Sequence, residues 1–480
     1  MLRLFISLLS ALLLFSCSAP AQKTEPIANG ADKQLVTRLN QVHLDLGLSG
    51  HAFAVIRKGS IVQTGVFSTP ENPEITETTP LRFASVTKAL TGILLAQLAD
   101  DRLLDLDASV GTILTDTDLP DAITLRHLAA HVSEGEPGSE YVYGTQRFAM
   151  IEAILENVTG ERFEALLKSR IVEPAGMDWY DSPYLGSHAG FVSTVQDMGL
   201  MAAALQRGEL ITEAGLERLK RPFPLKSGKP GPVGLGFFVE ELGGEKILWS
   251  FGQDDPDHSS ALFLHLPDRQ LSFVLLANTD ALSNPFRLMM GDVRVSAFAQ
   301  AFLDAYAPDL ANKIAEPERK LSDILKAAWR EDFPGASTGF ETLKTDHPDA
   351  FEDPDRLVLH FAAMNLQGGS EPMIDRFNTL VLDNQPHNKW VLLAATGYLE
   401  RTGREDEAFL LYQRIIDLQN QEEDGLRRLF VAWAYRDQAR IMMGSDLNAA
   451  RDLLEKGLAT GVTGQTRQQL IDLKNGLAQP

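Results

Sequence analysis

Apolar and polar residues alternate from His51 to Phe67 around Lys58-Gly59-Ser60, a period of two that predicts a β-hairpin. Strand-like runs return late in the chain, at Gly234-Leu235-Gly236-Phe237-Phe238-Val239, Lys246-Ile247-Leu248-Trp249, Ser260-Ala261-Leu262-Phe263-Leu264 and Leu271-Ser272-Phe273-Val274-Leu275-Leu276. Between these two groups, from about residue 100 to 220, the pattern is helical. Leu90, Ile93, Leu94, Leu95 and Leu98 predict an apolar helix of about four turns that stops at Asp100-Asp101-Arg102. Met289, Met290, Phe298 and Phe302 fall in a later helix and read as core. Beyond residue 355 helical spacing resumes, and Gly369 precedes Gly403 by 34 residues.

The first residues follow another pattern. Arg3 precedes the apolar run Leu4 to Phe15, which leads into Ser16-Cys17. That order reads as an export signal. Cys17 is the only cysteine, so it cannot form an intrachain disulfide. A lone Cys at this place resembles a bacterial lipobox, which makes Cys17 the lipidation candidate; an ordinary signal peptide or an uncleaved anchor is the alternative. Ser18, rather than Asp, then points to the outer membrane, facing the periplasm. The expected divisions are a signal at 1–17, a flexible tether at 18–33, a catalytic domain at 34–306, an irregular linker at 307–355 and a helical domain at 356–480. A net charge of −21 argues against a nucleic-acid groove and against a polybasic membrane patch. Membrane contact is expected only through the lipid.

The chemistry lies at the start of the apolar helix. Ser85-Val86-Thr87-Lys88 puts a hydroxyl and an amine three residues apart, on one helical face. The amine can take the serine proton, which is what a hydroxyl needs to act as a nucleophile near neutral pH. The Ser85 N–H, at a helix N-terminus, can hold half of an oxyanion.

In context, Leu81 to Leu114 resembles the opening of the serine β-lactamase-like superfamily, the branch shared by class C β-lactamases, penicillin-binding proteins, D-aminopeptidases and esterases. Ile123-Thr124-Leu125-Arg126-His127-Leu128-Ala129-Ala130-His131, Pro137-Gly138-Ser139-Glu140-Tyr141-Val142-Tyr143, Glu173-Pro174-Ala175-Gly176-Met177 and Ala189-Gly190-Phe191-Val192-Ser193-Thr194 follow in the family order. The resemblance implies an α/β (α+β) fold, with an antiparallel sheet flanked by helices and the site in a cleft between them. It also implies Tyr143 as a proton shuttle acting with Lys88, and a strand N–H near Gln253 as the second half of the oxyanion hole. No cofactor is implied. His127 and His131 stand four apart on a predicted helix without a third ligand pattern, so they read as structural and the site as metal-free.

Two motifs depart from the family. Tyr-x-Asn becomes Tyr143-Gly144-Thr145, so Thr145 offers a hydroxyl in place of a carboxamide. The basic Lys-Thr-Gly or His-x-Gly motif becomes Trp249-Ser250-Phe251-Gly252-Gln253-Asp254-Asp255, with either Phe251 or, one residue earlier, Ser250 in the cationic place. Thr145, Ser250, Phe251 and Gly252 are the candidate substrate-binding residues. Without that cation a substrate carboxylate loses its partner, which favours neutral esters or amides. Lys226-Ser227-Gly228 spells a similar triplet, but in a Pro/Gly-rich stretch ahead of the strand where the motif belongs.

Gly403-Arg404-Glu405-Asp406-Glu407-Ala408, with Tyr412 and Ile415, resembles half of a tetratricopeptide repeat; Gly369, Met373 and Phe377 precede it in like places, and Gly444, Ala449, Ala450, Leu454 and Gly457 follow. Repeats of this kind imply a concave face for a protein or peptide partner; a plain helical bundle is the alternative. The leading expectation is an extracytoplasmic serine hydrolase using a Ser85 acyl-enzyme on a small-molecule or peptide ester or amide. The alternatives are a D,D-peptidase or β-lactamase, and an inactive scaffold that binds partners through its helical tail.

Overall fold

The computed structural model describes residues 29–68, 75–114, 119–254, 259–351, 382, 387, 389–418, 427–462 and 464–477. Cys17, Asp255 and the first expected repeat, with Gly369, Met373 and Phe377, lie outside the described residues.

The chain opens with helix α1 (Asn29–Leu46), then the hairpin β1 (Gly50–Arg57) and β2 (Ser60–Ser68). The short β3 (Leu81–Arg82) leads through a turn to helix α2 (Thr87–Asp100). After a helical region and the short β4 (Val192–Ser193) come β5 (Phe238–Leu242), β6 (Glu245–Asp254), β7 (Ser259–Leu266) and β8 (Leu271–Ala277). Six strands form one antiparallel sheet in the order β2-β1-β8-β7-β6-β5, while β3 and β4 pair separately. The sheet is closed by pairing its earliest strand, β1, with its last, β8, from His51↔Ala277 to Arg57↔Leu271.

Both faces of the sheet are covered, so its central strands read as apolar runs rather than clean alternations. One face carries Phe53, Val55, Trp249, Phe251, Leu262, Leu264, Phe273 and Leu275, packed with α1 and the helix Ala297–Tyr306. The alternate residues Ala52, Ala54, Ile56, Leu248, Ala261, Phe263, Val274 and Leu276 pack with α2 and the middle helices.

Three expected boundaries change. The first four residues of 234–239 are not strand. Gly236 has φ +71, and a Cβ there would collide with the Lys88 carbonyl, so the segment lies across α2 before β5 begins. The last residues of the expected tether, from Asn29, belong to α1. The expected irregular linker 307–355 carries the helices Glu316–Trp329 and Phe333–Asp346. Leu321, Ile324, Leu325, Ala328, Ala336, Phe340 and Leu343 complete the same core that holds α1 and the sheet. Trp329 Nε1 donates to the Leu46 carbonyl at 3.2 Å, and Lys326 pairs with Asp45 at 3.3 Å.

The C-terminal region is all helical among its described residues: Lys389–Arg401, Glu405–Leu418, Arg427–Met442, Leu447–Ala459 and Gly464–Gly476. Gly403 makes the first turn with φ +75, and Ala408, Tyr412, Ile415, Ala450, Leu454 and Gly457 are buried where the spacing put small and apolar residues. Val142, from the loop before the helix Thr145–Thr159, packs in the same apolar cluster as Leu392, Tyr398 and Leu399 of these helices.

Candidate active site

Ser85 sits on the tight 3-10 turn Ala84–Val86 that delivers the chain into α2. Ala84 holds φ +45, a left-handed conformation that costs a non-glycine residue of order 1 kcal/mol or more, and strain of this kind recurs at functional sites. The turn is fixed from several sides. Thr87 Oγ1 donates to the Ala84 carbonyl at 2.6 Å, and Ser259 Oγ donates to the Arg82 carbonyl at 3.2 Å. Strand β6 presses on it from the sheet: a Cβ at Gly252 would collide with the Phe83 carbonyl.

Gly252 therefore has no room for a side chain. Of the two candidates for the cationic place, Ser250 stands two residues before it and Phe251 one. Ser250 is buried and shares the sheet face of Gly252. Phe251 points to the other face, where its ring stands 5.6 Å from that of Tyr143. Gln253, half-buried, follows Gly252, so its main chain runs beside the Ser85 turn. At the mouth, Arg82 pairs with Asp254 at 3.2 Å and lies 4.4 Å from the Tyr184 ring centre.

The buried polar face of α2 is satisfied by one loop. Thr91 Oγ1 donates to the Ser187 carbonyl at 2.6 Å, the Phe191 N–H donates to Thr87 Oγ1 at 3.1 Å, and Lys88 Nζ donates to the His188 carbonyl at 2.8 Å. The second donation of Lys88 goes to Ser85 Oγ at 2.9 Å. Lys88 is 2 % exposed, and no carboxylate pairs with it among the described residues. Burial lowers its pKa to about 7, because the ammonium loses hydration that a carbonyl and a hydroxyl only partly replace.

Tyr143 completes the group. Its ring centre lies 5.0 Å from Lys88 Nζ, which itself donates to Ser85 Oγ. Burial pushes the phenol up to about 12. The structure therefore brings Ser85, Lys88 and Tyr143 together with Gly252 behind the serine and Phe251 against the tyrosine. Thr145, the first residue of its helix, is exposed. Lys226 of the Lys-Ser-Gly triplet lies on the surface, paired with Glu136.

The two histidines do not share a helix. His127 lies on Leu125–Ala129, where its Nδ1 accepts from the Thr124 N–H at 3.0 Å and closes a capping box. His131 follows the helix end with φ +56, and its Nδ1 accepts from the Gly144 N–H at 3.2 Å. The His188 carbonyl and the His131 contact escape sequence reasoning, since main-chain bonds between distant segments leave no residue-type signal.

A family profile described as Beta-lactamase matches residues 33–289, more than half of the chain. A D-aminopeptidase of Gluconobacter oxydans is 24% identical over 300 residues, 48% of this chain and 55% of that protein. The Bacillus subtilis protein named PbpX, described as a penicillin-binding protein, is 25% identical over 205 residues, 37% of this chain and 49% of that one. The chain thus spans about half the length of these curated relatives. Among solved structures, the octameric penicillin-binding protein homologue of Pyrococcus abyssi aligns with a TM-score of 0.49 and 16% identity, covering 60% of this chain and 81% of its own. With its antiparallel sheet flanked by helices and its Ser-x-x-Lys turn at their junction, the chain belongs to the beta-lactamase family, a family of serine hydrolases.

Proposed function

We propose that the protein is a serine hydrolase that forms an acyl-enzyme on Ser85 from a neutral ester or amide, a small molecule or a peptide. The observation that carries this reading is the 2.9 Å contact between Ser85 Oγ and a buried Lys88 Nζ, with no carboxylate paired to it among the described residues. Near pH 7 about half of the Lys88 side chains are neutral amines, able to accept the serine proton as Oγ attacks the carbonyl carbon. The N–H groups of Ser85 and Gln253 receive the developing oxyanion. Tyr143, held protonated by burial, acts as a relay: it gives its proton to the leaving group and regains one from Lys88. In the second half a water attacks the acyl carbon, its proton passes to the Tyr143–Lys88 pair, and Ser85 leaves with a proton returned from Lys88. The absence of a cation at Ser250 and Phe251 supports a neutral substrate over a carboxylate-bearing cell-wall peptide or β-lactam. Lipid anchoring through Cys17 in the periplasm and a protein partner at the C-terminal helices form part of the same proposal.

Intact-protein mass spectrometry after exposure to a fluorophosphonate tests the assignment. One adduct on the wild type and none on Ser85→Ala is expected, with ester turnover lost in Ser85→Ala and Lys88→Ala alike. Turnover at the wild-type rate in both variants would overturn it. Stable penicillin adducts would assign a peptidase, and fast penicillin hydrolysis a β-lactamase.

A further inference from the structure

We propose that His131 is the positioning residue for Tyr143, an inference that rests on the Ser85–Lys88–Tyr143 reading above. Tyr143 lies in a loop between helices, and its ring must stay beside Lys88, 5.0 Å away, through two acyl-transfer steps. A misplacement of about 1 Å costs on the order of 10²-fold in rate. The two residues flanking Tyr143 are both tied to His131. The His131 carbonyl accepts from the Val142 N–H at 2.8 Å, and its Nδ1 accepts from the Gly144 N–H at 3.2 Å. The imidazole also packs on the tyrosine itself, ring centres 4.5 Å apart and tilted by 33°. Phe148, from the helix that follows, also stacks on the imidazole, ring centres 5.3 Å apart. One residue therefore grips the main chain before and after the tyrosine and backs its ring.

Accepting at Nδ1 fixes the tautomer: the ring proton is on Nε2. The neutral ring is kept so by burial and by the nearby Lys88. The left-handed φ of +56 at His131 has the same rationale, since this conformation lets carbonyl and side chain of one residue reach two amides two residues apart. His131 touches no reacting atom in this arrangement; it acts through Tyr143.

The test uses the full chain, a p-nitrophenyl ester for turnover and a fluorophosphonate for Ser85 reactivity. His131→Phe keeps a ring against Tyr143 and removes the Nδ1 acceptor. His131→Asn removes the ring and keeps an acceptor of similar reach. His131→Phe is expected to lower kcat by roughly 10²-fold with KM changed less than about threefold, while fluorophosphonate labelling stays within about threefold of wild type. His131→Asn should recover at least about tenfold of that loss. In a Tyr143→Phe background, His131→Phe should add almost nothing, because the two residues act as one unit. A full, additive loss in that background, or a His131→Phe enzyme with wild-type kcat, would overturn the proposal. If His131→Phe does not fold, His131→Asn decides alone: a kcat loss as large in Tyr143→Phe as in wild type overturns it. Full activity of Tyr143→Phe itself would instead defeat the underlying site reading.

Discussion

The pH dependence of turnover tests the site most directly, because it reads the protonation state of Lys88. An exposed lysine titrates near 10.5, whereas burial brings this one to about 7. At pH 7 an ordinary lysine is neutral in only about 3 of 10⁴ molecules, and a lysine titrating near 7 in about half, a gain of roughly 10³-fold in available base. Lower intrinsic basicity returns part of that gain. The sign follows from which form reacts. The neutral amine is the base, so kcat/KM should rise about tenfold per pH unit below pH 7 and level off above it. At pH 6 about one-tenth of the plateau remains, and at pH 5 about one-hundredth. Neighbouring histidines do not imitate this limb: burial holds His131 and His188 below the usual imidazole value. The assay is initial-rate hydrolysis of a p-nitrophenyl ester from pH 5 to 10, corrected for buffer hydrolysis, with His188→Gln as a control that keeps the limb. A rate still climbing tenfold per unit at pH 9 would show that Lys88 keeps its ordinary pKa in the free enzyme, and the proposed role of a neutral amine would fall.

Two further outcomes follow from packing. Gly252→Ala places a methyl into the Phe83 carbonyl behind Ser85, so ester turnover and fluorophosphonate labelling should both fall by at least about tenfold, with a melting temperature only several degrees lower; unchanged labelling kinetics would show that β6 does not brace the serine turn. Leu325→Ala, at a fully buried position in the segment after the catalytic body, should cost about 2–5 kcal/mol and lower the temperature at which ester activity is lost. If that activity melts at the wild-type temperature, the helix is not part of the hydrolase core.

Legibility in the sequence followed the range of the interaction. The hairpin at β1–β2 and strands β6 to β8 announce themselves by local patterning, and so does α2 with its Ser-x-x-Lys start. Gly234 to Phe237 misled because their composition suits a strand, while the close crossing over Lys88 depends on a neighbour far away in sequence. The segment 307–355 misled for another reason. Pro317 and Pro334 each sit in the first turn of a helix, where the missing N–H has no partner to lose, so prolines in this segment do not interrupt it. Its charges, such as Arg319 and Lys320, are held in ion pairs with Asp304 and Asp346, while Leu321, Ile324 and Leu325 are buried. Within the site, the serine, lysine and tyrosine were readable as residue types. The close packing of Gly252 on the Phe83 carbonyl was not, because it depends on a neighbour far away in sequence.

The contact between Trp329 and Leu46 also sets a clock. It joins residues 283 positions apart, and α1 buries Leu35, Leu39 and Val42 against a core that the helices from Glu316 to Asp346 complete. At 5–20 residues per second, synthesis of that interval takes roughly 15–60 s. Throughout that time the apolar side of the first helix lacks its final cover, an exposure that favours aggregation. Such long-range closure also predicts slow folding for the finished protein. The stretch with the fewest recognisable motifs therefore decides when the catalytic body is complete.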